Sequence, residues 1–133
     1  MATIDPSRES FSQLFVNTAP DQPVVMLNLL RFRDEAQYPP EHPEPTCSGR
    51  EAYARYADNA LKSVAAAGGR VLWQGRVRHP LVAPDDEHWD AMLLVEYPSA
   101  AAFMDMVRSP AYQAFTHHRT AALAEARLIA MQA

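Results

Sequence analysis

Residues Trp89-Asp90-Ala91-Met92-Leu93-Leu94-Val95-Glu96-Tyr97-Pro98-Ser99 carry an apolar strand into a proline–serine stop. Ser99 can cap a helix, which the spacing predicts through Arg108. Ser109-Pro110-Ala111-Tyr112 interrupts that helix before it resumes toward His117-His118-Arg119. Proline lacks the N–H that a helix interior needs, yet it suits a first helical turn. A continuation from Pro110 to about Glu125 is therefore expected, then a short final strand from Arg127 to Met131.

Upstream, the pattern repeats. Val24 to Phe32 is apolar nearly throughout and reads as a buried strand. Ser48 and Glu51 form a capping-box pair, and Tyr53, Tyr56, Ala57, Ala60, Leu61 and Val64 follow at helical spacing. Gly68-Gly69 ends that helix. Arg70 to about His79 reads as a strand, and Pro80 to His88 as a turn with an acidic tip, Asp85-Asp86-Glu87. Ahead of everything, Asp5-Pro6 opens a helix over residues 7–17. Residues 33–49 contain Pro39, Pro40, Pro43 and Pro45, which exclude helix and central strand. So long a loop suggests a functional segment such as a lid.

The order is helix, then β-α-β-β-α-β. It builds an α+β, ferredoxin-like sandwich: an antiparallel four-stranded sheet with helices on one face. The 133 residues suit a single domain (1–133, with its core at 24–131). Val24, Met26, Leu30 and Phe32 alternate with Val25, Leu27 and Leu29, so the first strand is apolar on both faces. Such a strand expects cover on both sides. One chain supplies helices for one side, and a second copy most simply covers the other, giving a homodimeric barrel.

Composition excludes several classes. Net charge is −4 and Lys62 is the sole lysine, which argues against nucleic-acid binding. No apolar run reaches the roughly 18 residues a membrane span needs. Met1 to Glu9 lacks the basic start and apolar centre of a signal peptide, and the lone Cys47 permits no internal disulfide. A cytoplasmic location is the expectation. The four glycines form neither a dinucleotide fingerprint nor a phosphate loop. No Gly-x-Ser-x-Gly, His-Glu-x-x-His or Cys-x-x-Cys occurs. His117 and His118 stand about 100° apart on a helix, which argues against one shared helix-facing site. No metal and no cofactor is expected.

Together, Val24-Val25-Met26-Leu27-Asn28-Leu29-Leu30, Tyr53-x-x-Tyr56, Gly68-Gly69-Arg70, Trp89-Asp90, Glu96-Tyr97-Pro98-Ser99, Phe103 and Ser109-Pro110-x-Tyr112 with Arg119 resemble the domain of unknown function family numbered 1330. The resemblance covers about residues 24–131. It implies a ferredoxin-like fold in a dimeric α+β barrel, and it implies no reaction, because fold alone does not specify chemistry.

Strand alternation suggests where a site lies. Trp89, Ala91, Leu93, Val95 and Tyr97, with Val71, Trp73, Gly75 and Val77, are expected under the helices. Met92, Leu94 and Glu96, with Gln74 and Arg76, are expected to face the barrel, joined by Asn28. An apolar cavity with a few polar groups suits a small organic ligand. Glu96 is the candidate general base, with a raised pKa if buried. Asn28 or Gln74 would hydrogen-bond a carbonyl or enolate, and Arg76 would hold a carboxylate. The plainer alternative has Glu96 paired with Arg76 as structure alone. Met92, Tyr56, Tyr112, His118 and Arg119 complete the candidate binding set. Against that, helical tyrosines are commonly core residues, and Arg119 commonly anchors its helix to an acidic residue. Three functions follow: cofactor-free oxidation or isomerisation of an apolar substrate; non-catalytic binding in which the polar groups only specify the dimer; or a haem or metal protein, which requires a histidine pointing into the cavity.

Overall fold

The computed structural model describes residues 3–133. The elements are α1 (Arg8–Asn17), β1 (Val24–Phe32), α2 (Gly49–Ala66), β2 (Arg70–Arg76), β3 (Ala91–Tyr97), α3 (Ala100–Arg108), α4 (Pro110–Gln113), α5 (Thr116–Ala122) and β4 (Leu123–Met131). The strands form one sheet in the order β2-β3-β1-β4, and every neighbouring pair is antiparallel. Two β-α-β crossovers interleaved in this order define the ferredoxin-like fold.

Local chemistry accounts for the boundaries. The Ser48 side chain accepts from the Glu51 N–H while the Glu51 carboxylate accepts from the Ser48 N–H, so both halves of the capping box form. After α2 the chain turns through Gly68 at φ +80°, a region where a Cβ is strained. Ser99 caps α3, and Ser109 caps α4 with Pro110 in its first turn. Beyond Pro110 the helix is shorter than its pattern suggests. It stops at Ala122, and β4 begins at once with buried Leu123 and Ala126. Pairing with β1, along with the Arg31–Glu125 ion pair, makes strand out of residues whose spacing also suits helix.

The helices cover one sheet face. Val24, Met26, Val95 and Tyr97 pack there against Ala60, Phe103, Met106, Tyr112 and Phe115, and α1 adds Phe11 and Leu14. A second cluster around Leu30, Ala52, Ala122 and Leu123 lies toward the other end of β1. Val25, Leu27 and Leu29 therefore occupy the face without helices, beside Glu96, Leu94 and Met92.

The expected side-chain faces need two corrections. Asn28 pairs with Leu93 and shares the helix-covered face with Met26 and Val95, so Asn28 and Glu96 lie on opposite sides of the sheet. In β2 the register slips between Val71 and Trp73. A bulge inverts the alternation beyond it. Trp73 and Gly75 consequently share the open face, and a Cβ on Gly75 would stand 2.4 Å from the Trp73 ring. Gln74 and Arg76, opposite Leu93 and Ala91, take the covered side.

Candidate functional site

Between the sheet and α2–α5 lies a cavity of about 660 Å³. Most of its wall is apolar, from Met26, Leu30, Leu93, Val95, Ala57 and Ala60. Half of its exposed lining residues come from β2 (Gln74, Arg76) and α2 (Arg50, Ala54, Leu61), which mark one place where it meets solvent. Polar groups enter at a few points. Asn28, at the middle of β1, has its amide 3.3 Å from the Met26 carbonyl and 3.5 Å from that of Leu93. Only the shorter contact is a fair hydrogen bond, so its amide oxygen and remaining N–H are available to a ligand.

Tyr53 and Tyr56, three residues apart on α2, project toward the same face as Tyr112 of α4. The Tyr56 and Tyr112 hydroxyls hydrogen-bond at 2.6 Å. One proton is used within that pair, which leaves the other hydroxyl an O–H to donate outward. Burial, reinforced by the neighbouring phenols, pushes Tyr56 well above the usual phenol range. Burial likewise raises Tyr112, and raises Tyr53 to about 12. These groups are donors across the physiological range and not bases.

Arg119 is only 8% exposed. Its guanidinium donates to the Ile4 carbonyl at 2.8 Å and to the Asp5 carboxylate at 3.1 Å. Arg119 thus ties α5 to the segment before α1, as an anchoring role predicts, while also bordering the cavity. Among the described residues the lining holds Arg50, Arg76 and Arg119 against one carboxylate, Asp5, so the charge balance is positive.

The structure gathers Asn28, Gln74, Arg76, Tyr56, Tyr112 and Arg119 around this cavity, and Met92 borders it from a register position on the other face. Two candidates stand elsewhere. Glu96 is on the open face, where its carboxylate accepts from Arg70 Nε at 3.1 Å in a solvent-exposed pair. It pairs with Arg70 and not with Arg76, because Arg70 is its directly opposed residue while Arg76 stands at the far end of β2, opposite Ala91. His118 turns away from the cavity. Its Nδ1 is 2.7 Å from the Tyr38 hydroxyl, which also accepts from Arg55 at 3.3 Å. Burial, followed by the charge of His117, lowers the His118 pKa.

No residue of the proline-rich loop lines the cavity, so its placement does not suit a lid over this site. The loop lies instead against α5, with Arg33 N–H donating to the Ala122 carbonyl and Gln37 N–H to that of Ala121. Gly49 sits at its end, where a Cβ would be 2.2 Å from the Arg33 carbonyl oxygen. Tyr53, which the helical spacing offers beside Tyr56 and Tyr112 as a donor, lines the cavity, and Asp5 and Arg50 join it without being expected there. Asp5 meets Arg119 across more than a hundred residues and leaves no local signal.

The fold and cavity define a ferredoxin-like α+β protein with a ligand-sized space beneath its helices. The model of the domain of unknown function family DUF1330 matches residues 45–133, and the chain belongs to that family. A protein of unknown function from Rhodopseudomonas palustris is 41% identical, with a TM-score of 0.90 over 100% of this chain and 98% of its own. Two more distant structures share the fold. A hydroxynitrile lyase from Passiflora edulis is 13% identical with a TM-score of 0.56, over 86% of this chain and 95% of its own. A dimeric protein of unknown function from Bacteroides fragilis is 14% identical with a TM-score of 0.54, over 86% and 100%. No curated protein matches the chain.

Proposed function

We propose that this protein binds a small, largely apolar organic molecule carrying a carbonyl or carboxylate in the cavity between sheet and helices. The carrying observation is the cavity itself: about 660 Å³, apolar over most of its wall, with hydroxyl, amide and guanidinium donors around it. That volume lies within the roughly 300–1,000 Å³ of small-molecule sites. Donors outnumber acceptors, which favours a ligand that accepts hydrogen bonds. Asn28 and the Tyr56–Tyr112 pair suit a carbonyl or enolate oxygen, and Arg76 suits a carboxylate at the mouth.

The same arrangement suits cofactor-free oxidation or isomerisation through an enolate that these donors stabilise. The second reading, binding without catalysis, is favoured by one feature of the wall. Among the described residues it holds no histidine, and its one carboxylate, Asp5, is engaged by Arg119. With Glu96 on the other face, no evident general base stands in the cavity. A homodimer is part of this proposal. The open face carries Leu27, Leu29 and Leu94, with exposed Trp73 and Ile129 at its sides, and the Bacteroides fragilis protein of this fold is described as dimeric.

A thermal-shift screen of aromatic and aliphatic carboxylates and ketones tests the binding reading, because a ligand of the folded state raises the midpoint. At least one class is expected to raise it in the native chain and to lose that effect in Ala57→Phe, which fills the cavity. A shift that survives Ala57→Phe unchanged places the ligand elsewhere and defeats the assignment.

A further inference from the structure

The proline-rich loop crosses α5 with its middle over two adjacent histidines. Glu44 Oε1 lies 3.6 Å from His117 Nε2 and 4.0 Å from His118 Nε2. One donor atom from each of the three residues lies within 4.8 Å of the others. The helical wheel argues against this convergence, since the two side chains leave α5 in different directions. It occurs because the meeting point is supplied by the loop: two long imidazoles reach out on either side of one carboxylate, with ring centres 4.1 Å apart.

We propose that Glu44, His117 and His118 bind a divalent transition-metal ion of the zinc class, which clamps the proline-rich loop onto α5. Two imidazoles and one carboxylate are a donor set that such an ion accepts, with a fourth position for water. Ligands held about 2.1 Å from a tetrahedral ion stand about 3.4 Å apart. Glu44 already stands 3.6 and 4.0 Å from the two imidazoles, and the set spans no more than 4.8 Å, so small rotations of the three side chains bring them to an ion.

The surroundings fit ligation. Both imidazoles are mostly shielded from solvent, at 15% and 13% side-chain exposure, while Glu44 at 32% leaves an entry path. A metal on His118 Nε2 puts the ring proton on Nδ1, where the Tyr38 oxygen accepts it at 2.7 Å; Arg55 holds that oxygen from behind. Such an outer partner fixes the ring's orientation and tautomer. His42 stacks on His117 at 4.5 Å and 19°, steadying the second ring. Backbone bonds tie the loop at its base, through Arg33, Ala36 and Gln37. Glu44 lies farther along the loop, so an ion there would secure the stretch those bonds leave out. This site is separate from the cavity, which neither the loop nor the two histidines line.

Zinc titration against a chromophoric chelator, with the full chain first stripped by EDTA, tests the proposal. The expected result is one zinc per chain, no comparable magnesium binding, and at least tenfold weaker zinc binding in both Glu44→Gln and His117→Asn. His88→Asn, remote from the cluster, should bind like the native chain. Zinc should also slow proteolysis within residues 33–49 of the native chain and not of Glu44→Gln. Glu44 is on an exposed loop, so that variant decides the matter if His117→Asn fails to fold. Absence of stoichiometric zinc, or native affinity in Glu44→Gln, overturns the proposal.

Discussion

The two faces of the sheet are built from similar residues and end in different states. On the covered face Val24, Met26 and Leu30 are buried against helices. One residue along at each step, Val25, Leu27 and Leu29 are only partly buried and meet no helix. The alternation of β1 therefore cannot reveal which face is the core, because both sets are equally apolar. What separates them is the polar inventory. Tyr56, Tyr112, Asn28 and Arg119 gather under the helices around a cavity, whereas the open face offers Glu96 in a pair with Arg70 beside a broad apolar surface. One face lines a cavity with its polar groups, and the other is a broad, partly exposed apolar surface.

The sharpest way to break this comparison is to truncate one leucine on each face. Leu30 is fully buried between Ala52, Ala122 and Leu123. Leu30→Ala is expected to cost about 2–5 kcal/mol in chemical denaturation, from lost transfer energy and the cavity left behind. Leu27→Ala, on the open face, should cost about 1 kcal/mol in dilute protein. Its penalty should grow over a hundredfold rise in protein concentration, since a second copy covering that face stabilises by mass action. Equal penalties at every concentration would mean that the faces do not differ as described.

Much of the fold was legible because its signals are local. Val24–Phe32 is apolar at every position but Asn28 and Arg31, and the structure places β1 on those residues. The Ser48–Glu51 box, the Gly68 turn and the Ser99 and Pro110 signals each mark a boundary through one or two residues. The cavity was legible only in part, because faces depend on register. A single bulge between Val71 and Trp73 moves Gln74 and Arg76 to the side of Asn28, while alternation grouped them with Glu96. Composition does not announce such a slip. The end of α5 departs from its sequence pattern for a related reason: Leu123 to Glu125 fit a helical spacing, and long-range pairing with β1 overrides it.

A second test concerns the protons of the covered face. Tyr53, Tyr56, Tyr97 and Tyr112 border the cavity there, and Tyr38 packs on His118. All five phenols of the chain are raised, each chiefly by burial. From about pH 10 the unfolded chain releases phenolic protons that the folded chain retains. This contribution to stability is fully present below pH 10 and is lost as pH rises through the folded values, of which Tyr53 stands at about 12. An absorbance titration at 295 nm should show little ionisation at pH 10 in native protein and substantial ionisation in denaturant. Ordinary phenol titration in the native state would mean that the helices do not seal this face.

The smallest effect is expected at Glu96, and it bears most directly on the cavity assignment. Its partner Arg70 is the directly opposed residue of β2, with side-chain exposures of 72% for Arg70 and 30% for Glu96. An ion pair so open to water contributes about 0–1 kcal/mol and weakens with salt. Glu96→Gln should therefore change the denaturation midpoint little, and still less at high ionic strength. It should also leave binding of a cavity ligand unchanged, because the sheet separates its carboxylate from Asn28 and the tyrosines. Ala57→Phe, which alters no charge, should abolish that binding. A loss of ligand affinity in Glu96→Gln as large as in Ala57→Phe would put the site on the open face, and the two faces would exchange roles.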